Sequence, residues 1–302
     1  MQTEYIKGII PPILTPIDEN EKIDEFKLRK QVDFIIEGGV EGILAFGSNG
    51  EFYAIEEEEQ YKGLKIIVDQ TKKRVPVYFG IGAISTKKCI KLAQNAFSLG
   101  ACAVSILQPM FLRPNENELL NHFSAIAQAI DGKHMLLYNN PGRIGYSLTA
   151  DLVVKLVEKH ENIVGIKDSS GDMTLTSELI RRTINTSFKV LGGKDTLIYG
   201  TLVHGGHGAV ATMANIFPEL VCNIYRSYIK GNIKRALEFQ RTLNPLRLML
   251  DKASFPVGTK DYANLNGQDV GLPYRPSLPS DESILNLMKE QMKKANFLHR
   301  EN

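Results

Sequence analysis

Short apolar runs alternate with longer amphipathic runs along most of the chain, and this alternation constrains the fold more than any other feature. The amphipathic runs carry apolar side chains at helical spacing and are bounded by residues that favour helix termini. The apolar runs are too short for helices and suit buried strands. There are eight of them, at residues 8–14, 42–46, 77–80, 103–107, 135–139, 163–168, 188–192 and 208–212.

The order of these runs predicts the fold class. Strands that alternate with helices form right-handed βαβ units and a parallel sheet. Eight such units suit a closed (β/α)8 barrel, the TIM-barrel fold, although an open doubly wound sheet shows the same alternation. We therefore expect an α/β protein whose residues 1–225 form a (β/α)8 catalytic barrel.

The remaining residues, 226–302, predict a C-terminal helical extension. Apolar side chains recur at helical spacing over residues 218–230, 233–249 and 283–295. Residues 253–279 are richer in Gly, Pro and polar residues, which predicts an irregular connection. Nothing in this part of the sequence begins another strand–helix unit.

The composition excludes several classes of protein. Hydrophobic residues make up 43% and charged residues 23% of the 302 residues, as in a globular chain. The formal net charge is +2, so no nucleic-acid partner is expected, and no apolar run is long enough to suggest a membrane partner. Three cysteines without metal-ligand spacing and an N-terminus without a signal-peptide core predict a cytoplasmic location.

Functional residues of a barrel follow the carboxyl ends of its strands. After the second strand, Gly47 and Gly50 allow backbone N–H groups to converge on an anion. Ser48 and Asn49 lie between them and add side-chain donors. These two residues are candidates for holding a carboxylate, and the alternative is an ordinary polar turn.

The fifth strand ends at a tyrosine that is soon followed by an arginine. The Tyr138 hydroxyl could relay protons at the barrel mouth, and Arg143 could hold a carboxylate in a bidentate pair. The alternative is a tyrosine that caps the barrel and an arginine that points into solvent.

The sixth strand carries a lysine near its carboxyl end, which is unusual in so apolar a run. Burial disfavours an ammonium ion, so Lys167 could present a free amine that forms a Schiff base with a carbonyl compound. The protonated imine would accept electrons from a neighbouring carbon–carbon bond. The alternative is a lysine that extends to the rim and pairs with Asp168.

Other motifs predict structure in preference to chemistry. Gly192 and Gly193 after the seventh strand could bind phosphate, but close packing is the favoured interpretation. His207 precedes the eighth strand and therefore lies at the face opposite the site. No His, Cys, Asp or Glu cluster has metal-ligand spacing, and an imine needs no Lewis acid, so neither a metal nor an organic cofactor is expected.

Four segments together resemble the dihydrodipicolinate synthase and N-acetylneuraminate lyase family of class I aldolases, and the resemblance covers nearly the whole chain. The segments are residues 47–51, 138–141, 165–168 and 205–208. The resemblance implies a barrel with a C-terminal helical domain, no cofactor, and a homotetramer built as a dimer of dimers, or else a homodimer. Its substrates would be small molecules, pyruvate and an aldehyde.

The resemblance also implies roles for individual residues. Lys167 would form the Schiff base with pyruvate, and Tyr138 would shuttle protons to and from the substrate. Ser48 and Asn49 would hold the pyruvate carboxylate. Val210 falls where the family places a backbone carbonyl near pyruvate.

Some residues favour a dihydrodipicolinate synthase within this family, and others argue against it. Arg143 matches the arginine with which dihydrodipicolinate synthases hold aspartate semialdehyde. Those synthases usually have two threonines at Ser48 and Asn49 and a tyrosine at Phe111 that completes a proton relay across a dimer interface. The site at which lysine inhibits such synthases is not recognisable either. Where its polar and aromatic contacts would be, this sequence has Glu57, Gln60, Ile84, Lys88 and Met110.

Three hypotheses therefore follow. The first is an aldolase that cleaves or forms a 2-oxo-4-hydroxy acid, of the 2-keto-3-deoxy sugar acid or 4-hydroxy-2-oxoglutarate type. The second is 4-hydroxy-tetrahydrodipicolinate synthase, which condenses pyruvate with aspartate semialdehyde. The third is a catalytically idle barrel that binds small acids.

Overall fold

Eight parallel strands form the centre of the structure, a computed structural model that describes residues 3–296. The strands are hydrogen-bonded in the order β1-β8-β7-β6-β5-β4-β3-β2. Their bounds are β1 Gly8–Ile9, β2 Ile43–Ala45, β3 Val77–Ile81, β4 Ala103–Leu107, β5 His134–Asn139, β6 Ile163–Asp168, β7 Lys189–Gly192 and β8 Gly208–Ala209.

The segment after β1 closes this sheet onto β2. Pro12 pairs with Leu44 in parallel, the Leu44 N–H donates to the Pro11 carbonyl, and the Ile13 N–H donates to the Leu44 carbonyl. Each of the eight strands thus has a neighbour on both sides. The predicted (β/α)8 barrel is confirmed, and the open sheet is excluded.

Helices connect the strands and cover the outside of the barrel. Several begin at side chains that cap free backbone N–H groups; Asn115 and Glu118, for example, form a reciprocal capping box. The barrel helices are α1 Glu25–Glu37, α2 Glu57–Thr71, α3 Thr86–Ser98, α4 Glu116–Ala129, α5 Pro141–Ile144, α6 Ala150–Lys159, α7 Met173–Thr183 and α8 Ile198–Val203.

Two apolar layers follow from the alternation of side chains along the strands. The inner layer fills the barrel and contains Ile10, Leu44, Tyr78, Leu136 and Val164, among others. The outer and larger layer lies between the strands and the helices. A side chain at the end of a strand therefore enters the barrel mouth only if it belongs to the inner layer.

A β-bulge in β6 changes which of its side chains belong to that layer. Met135 of β5 pairs with Ile163, but the next residue, Leu136, pairs with Gly165, so Val164 is the additional residue. Ile163 belongs to the outer layer, and in a regular strand Lys167 would face the same way. Because of the bulge, Lys167 instead faces the lumen, where it lines a small cavity.

Within the residues that the structure describes, the C-terminal extension contains four α-helices, and the first of them packs against the barrel. They are α9 Pro218–Ile229, α10 Ile233–Met249, α11 Val257–Leu265 and α12 Glu282–Lys294. The expectation of an irregular connection over residues 253–279 is wrong where α11 lies. Residues 257–263 are all buried, so tertiary packing stabilises a helix whose sequence has no amphipathic period. The expected domain boundary after residue 225 falls within α9.

Two further features bear on the composition-based expectations. Cys89, Cys102 and Cys222 are all free thiols. Within residues 3–296, no helix combines the length and the apolar character that crossing a membrane requires.

Candidate active site

A cavity of about 90 Å³ opens at the carboxyl ends of the strands and brings together all six residues that the sequence predicts for the site. It is lined by Ser48, Asn49, Tyr138, Asn140, Arg143, Lys167, Ser169, Gly193, Lys194, Asp195, Val210, Thr212, Arg247 and Phe255. Five different strand ends and the C-terminal extension contribute to this wall. The cavity therefore has the position that active sites occupy in (β/α)8 barrels.

Lys167 and Tyr138 form the centre of the cavity. They are paired residues on the adjacent strands β6 and β5, and both are buried. The Lys167 Nζ lies 4.0 Å from the centroid of the Tyr138 ring. A cation in this position is attracted by the face of the ring.

The environment of Tyr138 favours ionisation of its phenol. Burial is the largest single effect and would raise the pKa of Tyr138, but the neighbouring Lys167 charge and the hydrogen bonds to the phenol together outweigh it. Hydrogen bonding acts in the same direction, since Asn140 Nδ2 donates to the phenol oxygen at 2.8 Å and Ser48 Oγ lies 3.5 Å from it. The pKa of Tyr138 is therefore lower than its ordinary value, as suits a group that exchanges protons.

Ser48 and Asn49 lie on a single turn of 3₁₀ helix, Ser48–Gly50, which begins three residues after the end of β2. The Asn49 side chain is buried, and both ends of its amide are used: Nδ2 donates to Thr212 Oγ1 at 3.0 Å, and Oδ1 accepts from Thr259 Oγ1 at 3.2 Å. The turn is thus a built part of the cavity wall, which argues against an ordinary exposed turn.

Cationic side chains surround the outer part of the cavity. The Arg143 guanidinium, on α5, stacks over the Phe255 ring at 3.8 Å from its centroid. Lys194 after β7 and Arg247 of α10 line the same opening. Arg247 also pairs with Asp251 at 2.9 Å. An anionic group that extends from the cavity centre would meet these charges.

The end of β8 completes the wall. Val210 follows this strand directly and lines the same cavity as Lys167. Asp195 fixes the next residues, since its two carboxylate oxygens accept from the backbone N–H groups of Thr212 and Met213 at 2.9 and 2.8 Å. Burial raises the pKa of the Asp195 carboxyl above its usual range, although these hydrogen bonds and nearby cations oppose the shift.

Asp168 does not pair with Lys167, although the two are adjacent in sequence. Its carboxylate accepts from Asn139 Nδ2 at 3.0 Å, from the Ser170 N–H at 3.1 Å and from Thr176 Oγ1 at 2.6 Å. Among the ion pairs of residues 3–296, none joins the two side chains. The structure thus leaves the Lys167 amine directed at the cavity.

Eight residues of the cavity wall were not predicted from the sequence. They are Asn140, Ser169, Gly193, Lys194, Asp195, Thr212, Arg247 and Phe255. Six of them follow strands and could have been found by extending the strand-end rule by a few positions. Arg247 and Phe255 come from the C-terminal extension, where no strand indicates which residues reach the mouth. Gly193 packs against the Ser169 side chain so closely that a Cβ would overlap it, which supports the packing interpretation of this glycine.

A second, larger cleft of about 1120 Å³ lies at the side of the barrel near α2 and α3. It contains the positions expected for a feedback site: Glu57, Gln60, Ile84, Lys88 and Met110. It does not contain Lys167 or Tyr138, and a buried lysine beside a tyrosine whose pKa is lowered is the stronger indication of chemistry. We therefore assign the candidate active site to the smaller cavity.

Comparison with known proteins agrees with this architecture. Residues 5–295 match the model of the family described as "Dihydrodipicolinate synthetase family". The chain belongs to this family. One similar protein is the 4-hydroxy-tetrahydrodipicolinate synthase of Methanopyrus kandleri, which is 33% identical to this chain over 294 residues, or 97% of each of the two chains. The corresponding enzyme of Methanosphaerula palustris is 36% identical over 278 residues, 91% of this chain and 94% of the relative.

Solved structures of the family have the same fold. YagE, a prophage protein of the family from E. coli K12 in complex with pyruvate, superposes with a TM-score of 0.93 at 28% identity, covering 97% of this chain and 99% of YagE. A dihydrodipicolinate synthase superposes with a TM-score of 0.92 at 30% identity, covering 97% and 100%. As a member of this family, the protein is a class I aldolase that acts on small-molecule substrates.

Proposed function

We propose that the protein is a pyruvate-dependent aldolase that cleaves or forms a 2-oxo-4-hydroxy acid through a Schiff base on Lys167. The observation that carries this proposal is the buried Lys167 amine beside a tyrosine whose pKa is lowered. Together they supply the two functions that such a reaction needs, an electron sink and a group that exchanges protons.

The covalent step begins when the Lys167 nitrogen attacks the C2 carbonyl of the 2-oxo acid. The C2–N bond forms, the carbonyl oxygen leaves as water, and the product is a protonated imine. Ser48 and Asn49 hold the adjacent carboxylate, so that C2 lies within reach of the amine. No metal or organic cofactor is needed, because the imine itself withdraws electrons.

Carbon–carbon cleavage follows on the imine. The Tyr138 phenolate takes the proton of the C4 hydroxyl, the C3–C4 bond breaks, and its electron pair enters the imine to give an enamine. The C4 fragment departs as an aldehyde. Protonation of C3 and addition of water across the imine then release pyruvate and restore the free lysine. Condensation is the reverse of these steps, and the Val210 carbonyl adds a polar contact near pyruvate.

The charges at the mouth support a substrate whose far end is anionic. Arg143, Lys194 and Arg247 line the opening beyond the position of pyruvate. A second carboxylate, as in 4-hydroxy-2-oxoglutarate, would be held by these cations, whereas the neutral tail of a 2-keto-3-deoxy sugar acid would gain less from them. We therefore place the dicarboxylate first among the possible substrates of the aldolase.

A second candidate function is 4-hydroxy-tetrahydrodipicolinate synthase, which condenses pyruvate with aspartate semialdehyde. Arg143 supports it because the semialdehyde also carries a distal carboxylate, and the relatives named above are synthases. Phe111 weighs against it. This side chain is 98% exposed in the single chain and has no hydroxyl that could extend a proton relay from a neighbouring subunit.

One experiment separates these functions from an idle acid-binding barrel. The protein is incubated with pyruvate and sodium borohydride, digested and analysed by mass spectrometry, and its turnover is then measured on a small panel of substrates. We expect reductive labelling of Lys167 and turnover of 4-hydroxy-2-oxoglutarate above that of pyruvate with aspartate semialdehyde. Labelling of a different lysine would refute the mechanism, and no labelling would support the idle barrel. Faster turnover with the semialdehyde would identify the synthase.

We also propose that the chain is cytoplasmic and assembles as a homodimer or homotetramer. Phe111, Leu112 and Tyr53 are exposed apolar or aromatic side chains near the larger cleft, and their burial in a subunit contact would remove them from water. Sedimentation velocity on the purified protein tests the assembly, and a single species with the mass of one chain would contradict it.

A further inference from the structure

A fully buried ion pair connects the barrel to its C-terminal extension beside the active site. Glu51 directly follows the Ser48–Gly50 turn, and Lys260 lies in α11. The Glu51 Oε2 and the Lys260 Nζ are 2.6 Å apart, and the two side chains are 1% and 0% exposed. Charges so far from water are costly unless they are paired with good geometry.

The remaining polar atoms of this pair are bonded to the same part of the extension. Glu51 Oε1 accepts from the Tyr274 N–H at 2.9 Å, and Lys260 Nζ donates to the Leu272 carbonyl at 2.7 Å. Burial lowers the pKa of Lys260 below its usual value, and the Glu51 charge opposes this shift. The pair thus joins three segments: the end of the β2 turn, α11 and residues 272–274.

A neighbour of the pair in sequence connects it to the candidate active site by hydrogen bonds. Thr259, adjacent to Lys260, donates from Oγ1 to Asn49 Oδ1 at 3.2 Å. Asn49 Nδ2 in turn donates to Thr212 Oγ1 at 3.0 Å. Glu51 has a left-handed backbone with φ of 55°, which an ordinary residue adopts only where its surroundings enforce it.

From these contacts we propose that Glu51 and Lys260 are positioning residues, and that their buried pair, together with Thr259, holds the turn of Ser48 and Asn49 in the geometry that binds the carboxylate of pyruvate. A buried ion pair contributes little net stability compared with apolar residues of similar size, so its effect on geometry is the more informative property. The kinetic part of this inference rests on the proposed function, whereas the structural part does not.

The test compares full-length variants by two measurements. The first is the pyruvate concentration that gives half-maximal borohydride labelling of Lys167. The second is deuterium uptake by peptides that cover residues 47–54. The variants are Lys260→Met, Glu51→Gln, the double variant and Thr259→Val. The control is Met292→Ala, which removes a fully buried side chain from α12 and so destabilises the extension without touching the turn.

We expect Lys260→Met to raise the half-saturating pyruvate concentration at least about tenfold and to increase deuterium uptake over the turn. Thr259→Val should raise it about 2- to 10-fold, the effect of one hydrogen bond. The double variant should be no worse than the worse single variant, because the two residues act as a unit. Met292→Ala should lower the melting temperature but leave both measurements unchanged.

The proposal is overturned if Lys260→Met, Glu51→Gln and Thr259→Val leave both measurements at the wild-type values, or if Met292→Ala changes them as much. If Lys260→Met or Glu51→Gln does not fold, the double variant and Thr259→Val decide the matter, since neither leaves an unpaired charge in the interior. If pyruvate fails to label the wild type, the proposed function is wrong, while deuterium uptake over the turn still tests the positioning role.

Discussion

Lys167 and Tyr138 are partners in the register between β6 and β5, and the lysine nitrogen lies 4.0 Å from the centre of the tyrosine ring. Their separation is set by strand pairing, not by the conformation of a loop. The lysine charge favours the phenolate of its partner. One pair of adjacent strands therefore fixes both the place where a Schiff base would form and the group that would exchange protons with it.

Tyr138→Phe should lower kcat for cleavage about 10²- to 10⁴-fold, the usual contribution of a positioned acid–base group. The hydroxyl takes no part in binding the pyruvate carboxylate, so borohydride labelling of Lys167 should persist. Because the pKa of Tyr138 lies below the ordinary value of 10.0, the phenolate fraction and the cleavage rate of the wild type should rise with pH below that value. A wild-type pH–rate profile retained by Tyr138→Phe would show that another group exchanges the proton.

Arg143→Ala should reduce kcat/KM for substrates with a distal carboxylate roughly 10- to 150-fold, since a charge-assisted contact contributes about 1.5–3 kcal/mol. Neutral-tailed sugar acids should lose much less, and labelling by pyruvate alone should survive. Steady-state kinetics on both substrate types checks this, with Arg181→Ala as the control because Arg181 is exposed on α7 and pairs with Glu178. Loss of pyruvate binding itself would mean that Arg143 contacts pyruvate.

Free lysine should not inhibit the protein at physiological concentrations. In the larger cleft, Glu57 is already paired with Lys88 at 2.8 Å and Lys91 at 3.1 Å, and these partners lower the pKa of Glu57. Lys88 is therefore a paired cation that already occupies the Glu57 carboxylate. Ile84 and Met110 offer no oxygen to an incoming ammonium. Reaction rates measured with added lysine, and calorimetric titration of the protein with lysine, check this prediction. Inhibition by lysine that no substrate relieves would contradict it.

Gly165→Ala should destabilise the fold by about 1–3 kcal/mol and weaken pyruvate labelling of Lys167. A Cβ at this position would lie 2.6 Å from the Lys189 carbonyl oxygen, so that β7 or the β6 bulge must shift. Urea unfolding and labelling measure the two effects. Gly200→Ala is the matched control, because its Cβ would meet only the Met173 side chain at 3.7 Å, and there we expect no loss of stability. If the two variants had the same stability and the same pyruvate labelling, the packing of the β6 bulge would have no special role in directing Lys167.

The barrel could be predicted from the sequence because each buried strand appears as a short apolar run between amphipathic helices. Ser48, Tyr138 and Lys167 could be predicted because strand ends converge at one face of a barrel. The same reasoning could not find Arg247, Phe255 or Lys260. Arg247 and Phe255 reach the cavity, and Lys260 lies beside it, because of packing in the extension, where residues 257–263 of α11 are all buried and show no periodic pattern. Such contacts depend on tertiary structure, which local spacing does not encode.

The extra residue in β6 has a consequence for related chains that differ in length at this point. Deleting Val164 would leave Gly165 paired with Leu136 and Lys167 paired with Tyr138, so the lysine would still face the lumen. Strict alternation counted from Ile163 places Lys167 in the outer layer, whereas its pairing with Tyr138 places it in the lumen. The direction of the amine is thus set by register with β5, and not by distance from the start of β6. In a related chain with one residue fewer at this point, the pairing of the β6 lysine with the β5 tyrosine is therefore a better guide to where the amine points than the spacing within β6.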